Sequence, residues 1–408
     1  MRISAEQMLS PAMPAPGGSP GTAEDRYEAR LHSEPASLAP LWRRLQREGA
    51  CTAYQRFEWI DSLVRVLAGE HGAQPLLIEV RRAGRPVMIL PLVFVRRQGH
   101  RVIEALDLGA CEYAAPVLAP EIDPSPREAE RIWQAVRAVL PAADLIRLSR
   151  MPAHVQGVTN PLAQLAGTQR IDLTASGFVL EGDPRTLLKR VCTPSFHKDL
   201  TRRSRRFDSL PGAGFVATTD AAEMAELFDV MIAQRRARFH ELGRHEPLDR
   251  PGFIAFYRDA ALGAPGGPVW MFGLRAEGEW LAASYGLVQG GSFHGVLLTM
   301  AGDKWRSLAP GLLIAARIMV WAREQGLDYF DFTIGRQAYK RGFNPVDQTL
   351  FERAEPVTLR GRIALGLIRA NASAKLRLER HPALFERARA GVRLLRRLRA
   401  PRSDTNLG

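Results

Sequence analysis

Cysteine is scarce in this chain. Cys51, Cys111 and Cys192 are spread over 408 residues, with no CxxC and no Cys/His cluster. That spacing excludes a disulfide framework and gives no metal site to expect. An odd, low count suits a reducing compartment, where such residues fill small gaps in a core. Long apolar runs are missing too. No stretch of about 18 uninterrupted apolar residues occurs, so no membrane-spanning helix is expected. The opening Met1–Thr22 is rich in Ala, Pro, Gly and Ser and lacks the continuous apolar core of a secretory signal. It reads as a disordered leader, taken to extend over residues 1–37. These absences point to the cytoplasm, with an option of residence at the inner face of the membrane.

What is present is an ordinary globular balance with an uneven charge. Hydrophobic residues make up 46% and charged residues 24%, as in soluble domains. The net charge is +13, but residues 361–408 hold 12 Lys and Arg against 3 Asp and Glu. The body is therefore only mildly basic, which argues against nucleic acid as its partner. The tail, residues 359–408, is amphipathic. Ala388, Val392, Leu395 and Leu398 fall on one side, and Arg389, Arg393, Arg396, Arg397 and Arg399 largely on another. His381-Pro382 divides it into two helices. Such a helix lies on an anionic membrane, contacts a membrane synthase, or docks on its own protein with a solvated arginine face.

Periodicity predicts an α/β chain. Helices are expected over 38–48 and 57–67, strands over 75–81 and 86–95 around the Ala83-Gly84 turn, and short strands over 102–108 and 113–118. A helix over 127–140 and a buried strand over 144–148 complete the first half. A second set follows: helical stretches over 184–206, 221–239 and 250–261, a hairpin of 269–275 and 280–288 around Glu277-Gly278, a strand over 293–299, a helix over 311–324, and a strand over 329–333. A shift of 194 residues superposes Arg81 on Arg275, Gly84 on Gly278, His100 on His294 and Val102 on Val296. The shared element order suggests a duplicated module, one over 38–170 and one over 171–358.

Three places carry candidate chemistry. Asp303 to Gly311 links a strand to a helix. Pro310 and Gly311 at the helix start leave the first amides free, an arrangement that binds phosphate. Lys304 and Arg306 add charge. The alternative is an ordinary helix start. Next, Asp331 to Phe343 runs from a buried strand into a polar turn. Asp331 orients a nucleophile, pairs with Lys340, or acts as a base. Tyr339, a phenol of pKa about 10, suits protonation of a leaving thiolate. Lys340 binds phosphate or offsets negative charge. The alternative here is an Asp–Lys pair that only closes the turn. Finally, the basic stretches Lys198–Arg206 and Arg235–Arg238 either contact an anionic ligand or are solvated helix faces. His240 and His294 are candidate bases or structural histidines.

These residues resemble the GNAT-like acyltransferases of the CelD/BcsL cellulose-biosynthesis type, relatives of the FemAB peptidyltransferases. Tyr54-Gln55-Arg56-Phe57-Glu58-Trp59 matches an early aromatic helix start. Lys198–Arg206 matches a basic Ser/Arg-rich helix, and Ser307-Leu308-Ala309-Pro310-Gly311 loosely matches an S-P-G helix start. Asp331, Phe332, Gly335, Tyr339, Lys340 and Phe343 match D-F-x-x-G-x-x-x-Y-K-x-x-F. The chain departs from the pattern at Arg336-Gln337, where members often carry an acidic pair.

The resemblance covers roughly residues 38–355. It implies an α+β fold of two tandem GNAT-like modules, each a mixed central sheet flanked by helices. It implies acyl-CoA (acetyl-CoA) as co-substrate and an amine or hydroxyl on a small-molecule or saccharide acceptor, in exopolysaccharide or cell-envelope synthesis. On this reading Ser307, Ala309, Pro310, Gly311, Leu312, Lys304 and Arg306 bind the cofactor. The strand at Tyr285 polarises the thioester through a backbone N–H, and Arg235, Arg238 and Tyr285 meet the substrate. Asp331, Tyr339, Lys340 and His294 are the catalytic set. Two rivals stay open: an aminoacyl-tRNA-dependent ligase, and a non-catalytic partner of a polysaccharide synthase.

Overall fold

The structure, a computed structural model, describes residues 26–380 except 244, 264–265 and 336. The stripe Ala388–Leu398, the His381-Pro382 break and Arg336 therefore lie outside the described residues.

One mixed sheet runs through the molecule. In the first half its strands are β1 (Tyr27–His32), β2 (Gln74–Arg82), β3 (Arg85–Arg97), β4 (His100–Ala105), β5 (Val117–Leu118) and β6 (Leu145–Pro152). A two-stranded flap follows, β7 (His154–Val155) with β8 (Val158–Thr159). The second half contributes β9 (Gln169–Val179), β10 (Gly214–Thr218), β11 (Val269–Ala276), β12 (Glu279–Gln289), β13 (Ser292–Met300), β14 (Tyr329–Ile334) and β15 (Val346–Pro356). The order across the sheet is β1-β2-β3-β4-β6-β15-β9-β14-β13-β12-β11-β10, with β5 on β3. The order reads the same from either edge. Each half has four strands joined by three antiparallel pairings and then a parallel pair, β4 with β6 and β13 with β14. The two central strands are exchanged: β15, from the chain's end, pairs with β6 of the first half, and β9 pairs with β14 of the second. This is the tandem arrangement that the repeated element order predicts.

Helices cover both faces. They are α1 (Pro35–Glu48), α2 (Phe57–Leu63), α3 (Pro126–Val139), α4 (Pro184–Val191), α5 (Pro194–Asp208), α6 (Ala221–Glu241), α7 (Phe253–Leu262), α8 (Pro310–Glu324) and α9 (Leu359–Arg380). Local chemistry sets several of their starts. Ser125 and Glu128 form a reciprocal capping box at α3, and Asp220 caps α6 through two amides, each cap contributing about 1 kcal/mol. α8 is apolar nearly all round, because it is buried against β11, β12 and β13 on one side and α4 and α5 on the other. Among the described residues, no helix is long and apolar enough to cross a membrane.

Three expectations need correction. Residues 27–32, read as leader, form the edge strand β1, paired with β2 over six residues. The fixed shift of 194 holds only for the first hairpin. Its turns, Ala83-Gly84 and Glu277-Gly278, share left-handed φ values of 48° and 77° against 51° and 74°. The next turns are Gln98-Gly99 and Gly290-Gly291, a shift of 192, because β12 is 11 residues long and β3 is 13. His100 and Val102 are thus not the structural counterparts of His294 and Val296. Finally, of 113–118 only Val117–Leu118 is strand.

Candidate active site

The site grows out of the parallel pair. β13 and β14 are in register at Ser292↔Tyr329, Phe293↔Phe330 and His294↔Asp331, and the pairing stops there while both strands continue. Thr333 then takes a left-handed φ of 60°. A notch of about 460 Å³ opens between Gly295–Leu298 on one strand and Phe332–Ile334 on the other. α8 closes one side with Gly311, Leu312, Ala315 and Ile318. Tyr339, Lys340 and Glu112 complete the wall. That size and mostly apolar lining suit a small-molecule or cofactor site.

The turn before α8 brings a ligand close to backbone. Ala309 sits at φ 52°, ψ 62°, with Pro310 at the first helical position. Leu312 and Leu313 both donate their amides to the Ala309 carbonyl, at 2.9 and 3.2 Å. Pro310 has no N–H, so the Gly311 amide is the free one at this end. The cradle is narrower than four open amides. A Cβ on Gly311 would come within 2.8 Å of Met300 Cε and 3.1 Å of Leu298 Cδ2, so the glycine keeps the mouth open. The turn itself is held by Arg203 on α5, which donates to the Ser307 carbonyl.

Lys340 is buried. Its ammonium donates to the carbonyls of Phe332 (2.8 Å), Gly335 (3.0 Å) and Thr333 (3.3 Å). It thereby fixes the bent end of β14. Burial pushes its pKa down to about 8, and Asp331 and Glu112 oppose that shift. The expected Asp331–Lys340 ion pair is not what closes the turn; backbone carbonyls are. Burial likewise pushes the Tyr339 phenol up to about 12, so it holds its proton at neutral pH and remains a donor.

Asp331 and His294 point to the other face. Asp331 accepts from Tyr113 Oη at 2.7 Å and from the Thr333 amide at 2.6 Å, and meets His294 Nδ1 at 3.0 Å. They line a second pocket of about 520 Å³, with Cys51, Thr52 and Tyr113 from the first half and Gln348 and Thr349 from β15. The two cavities lie back to back. Successive residues in three segments, Glu112/Tyr113, Gly295/His294 and Phe332/Asp331, line one each.

The matched motifs support one another physically. In the early motif, Gln55 donates to the Tyr113 carbonyl at 2.8 Å, and Tyr54 stacks edge-on against Tyr113 and His294. It therefore steadies the tyrosine that bonds Asp331. The basic helix α5 meets the last motif through Thr193 N to the Gly342 carbonyl and the Phe196–Phe343 ring contact. Within α5, Arg202 and Arg203 both pair with Asp199, which is the structural reading of that run.

Other expected site residues are not brought together. Tyr285 is fully buried on the opposite face and donates to the Tyr257 carbonyl. Its strand β12 is hydrogen-bonded on both sides, to β11 and β13, so its amides are spent. The edge exposed to the notch belongs to β13. Arg235 donates through Nε and Nη2 to one oxygen of Glu246 and lies outside both pockets. Lys304 pairs with Glu279 at 2.7 Å and sits over the Trp305 ring, away from the notch. Ser307 is exposed and contributes its carbonyl to Arg203 rather than a ligand contact. Arg238 and Arg306 line an adjoining groove that shares Met300 and Ala309 with the notch.

Glu112 escaped the sequence reading. Burial raises its pKa first of all; Arg150 and Lys340 oppose this and Asp331 adds to it. It lies in an irregular segment of the first half and reaches the second half's notch only through the fold, so local pattern carries no signal for it.

A notch between splayed parallel strands, with a helix start at its mouth, is the frame on which the sequence match falls. Residues 194–341 match the Acetyltransferase (GNAT) domain family. That GNAT segment runs from the start of α5 to the Tyr339-Lys340-Arg341 turn and takes in the whole notch apart from Glu112. No curated protein matches the chain in sequence. Among solved structures, FemX is similar with a TM-score of 0.58 and 10% identity, over 80% of this chain and 96% of that one. L-PGS from Bacillus licheniformis is similar with a TM-score of 0.50 and 12% identity, over 85% and 99%. At such identities these likenesses concern the fold.

Proposed function

We propose that the chain moves an acetyl or longer acyl group from acyl-CoA to an amine or hydroxyl of a small-molecule or saccharide acceptor. The observation that carries this reading is the apolar notch opened where β13 and β14 stop pairing, with Tyr339 on its wall and a glycine-bearing helix start at its mouth. The second module, residues 171–358, takes the cofactor. The pantetheine arm lies against Gly295–Leu298, whose free edge offers amide donors to the thioester oxygen. The pyrophosphate lies near Gly311, with Arg238 and Arg306 in the adjoining groove.

Direct attack by the acceptor on the thioester carbon fits a wall without a cysteine nucleophile. The attacking amine or hydroxyl gives up its proton to a base. Glu112 is suited to this on the notch side, because its raised pKa makes it a better proton acceptor than an ordinary carboxylate. On the far face, His294, held through Nδ1 by Asp331, presents Nε2 as an alternative acceptor for a proton. As the C–S bond breaks, Tyr339 donates its phenolic proton to the departing thiolate. Lys340 keeps the β14 end in shape and adds positive potential there. The resemblance to CelD/BcsL-type proteins extends this reading to exopolysaccharide or cell-envelope synthesis, with the basic tail as the contact to a membrane or synthase.

Thermal shift and free-thiol release with a panel of acyl-CoAs test the reading. Binding raises the melting point by mass action, and turnover with an acceptor releases thiol. A panel in which no CoA thioester stabilises the protein would falsify it.

A further inference from the structure

The two-fold repetition of the sheet leaves a second pocket where the first half repeats the second. The last parallel pair of the second half, His294↔Asp331, lines the pocket of about 520 Å³ described above, completed by the α1–α2 connection of the first half. Its counterpart in the first half is Glu104↔Arg147, the last pair of β4 and β6. That pair lines a pocket of about 480 Å³, and this one is completed by Arg250 from the α6–α7 connection of the second half. Leu173 on β9 takes the place that β15 residues take in the other. The halves thus cross over reciprocally to build two pockets of one design.

Their linings differ in kind. The pocket at His294↔Asp331 is walled by hydroxyl, amide, imidazole and aromatic groups with Asp331 as its one acid. The counterpart holds four arginines, Arg97, Arg147, Arg150 and Arg250, against two acids, Glu104 and Asp107. Arg97 pairs with Glu104 and Arg150 with Asp107, while Arg147 is held by Glu352 from β15. Arg250 has no acidic partner among the described residues. It lies 3.8 Å over the Phe253 ring and donates to the Pro247 carbonyl, which leaves the rest of its guanidinium unmatched. His71, on the same wall, has a buried Nε2 without a hydrogen-bond partner. Gly109, at φ 88°, lets the backbone come against Arg250: a Cβ there would stand 3.3 Å from its Nη1. A planar guanidinium fork with spare donors, beside an unused imidazole nitrogen and a backbone without a side chain, recognises phosphate oxygens.

We propose that this arginine-lined pocket between the halves binds the phosphate or diphosphate group of a soluble small molecule, at a site separate from the β13–β14 notch. The phosphate accepts from Arg250 and His71, and draws Arg97 from Glu104 as it enters.

The test is calorimetric titration of the full chain with inorganic pyrophosphate. The parent protein binds it saturably. Arg250→Gln weakens binding at least tenfold, Arg97→Gln weakens it several-fold, and Glu104→Gln tightens it by freeing Arg97. Melting points of all three variants separate loss of the site from loss of the fold. Arg306→Gln, in the groove beside the notch, removes only the heat of pyrophosphate lodged there and leaves the Arg250-dependent binding in place. Binding that follows Arg306 and ignores Arg250 overturns the proposal while supporting the acyl-CoA reading, and so does absence of any saturable heat from a protein that still binds acetyl-CoA. Vesicles containing phosphatidylglycerol compete weakly or not at all; if they displace pyrophosphate, the ligand is a lipid headgroup and the soluble assignment fails.

Discussion

Asp331→Asn perturbs the wall between the two back-to-back cavities with one atom. Asp331 is 3% exposed, and its carboxylate satisfies three groups within 3.0 Å. An asparagine keeps an oxygen for the Thr333 amide. Its other terminus becomes an NH2, which faces the Tyr113 hydroxyl and His294 Nδ1 where both had been donating. His294 can change tautomer and accept; the Tyr113 hydroxyl accepts from the new NH2 and loses the carboxylate that took its own proton. One stranded buried donor costs about 1–3 kcal/mol, and two charge-assisted bonds become neutral ones at about 1 kcal/mol between them. The sum is about 2–4 kcal/mol. At about 2 °C per kcal/mol for a unit of this size, the melting point falls by roughly 4–8 °C. Scanning calorimetry reads that shift, and urea unfolding checks it at constant temperature. A variant within about 0.5 kcal/mol of the parent, the range of an ordinary surface substitution, refutes the argument that Asp331 ties the halves together through Tyr113.

Further outcomes follow from the same geometry. Tyr339→Phe lowers kcat by about 10²-fold or more on a confirmed substrate with KM little changed, as loss of a general acid requires; an unchanged kcat removes it as the acid. Glu112 has its carboxyl raised by burial, so the folded state holds that proton more tightly than the unfolded state. The stability from this group is present below pH 4.5, its ordinary value, and is lost as pH rises through the raised one. Glu112→Gln therefore stabilises the protein at pH 7 and not at pH 4, which urea titrations at the two pH values decide. The Lys340 ammonium titrates near pH 8 by nitrogen-detected NMR; a midpoint near its ordinary 10.5 contradicts the burial assigned to it. Gly177→Ala drives a Cβ to within 2.3 Å of Tyr329 Oη and 2.5 Å of the Phe330 carbonyl. It costs about 1–3 kcal/mol in unfolding free energy by prising β9 from β14.

Much of the frame is legible in residues alone, where local chemistry decides. The two hairpins announce themselves through Ala83-Gly84 and Glu277-Gly278, which need left-handed backbone, and α8 through Pro310 and its apolar run. The strand exchange is not legible: β15 and β9 meet β6 and β14 through pairings that span the chain, and no local pattern records them. For Tyr285 alternation gives no inside and outside, because β12 is buried on both faces over Leu281–Leu287. The motif marks Asp331, Tyr339 and Lys340, and His294 stands out only as a candidate base; Glu112 and Tyr113 reach the same two cavities from the other half. Tyr113 lies 218 residues from its partner Asp331. Arg235 and Lys304 had the right charge, and only the fold reveals Glu246 and Glu279 beside them.

The central claim is that the β13–β14 notch takes acyl-CoA. Calorimetric titration with acetyl-CoA of the parent and of Gly311→Leu tests it most directly, since a side chain at Gly311 meets only the tips of Met300 and Leu298, which can give way across the mouth where the cofactor would pass. The account predicts saturable binding to the parent and at least tenfold weaker binding to the variant, with melting points alike. Equal affinity in the two proteins, or no binding to the parent, contradicts it.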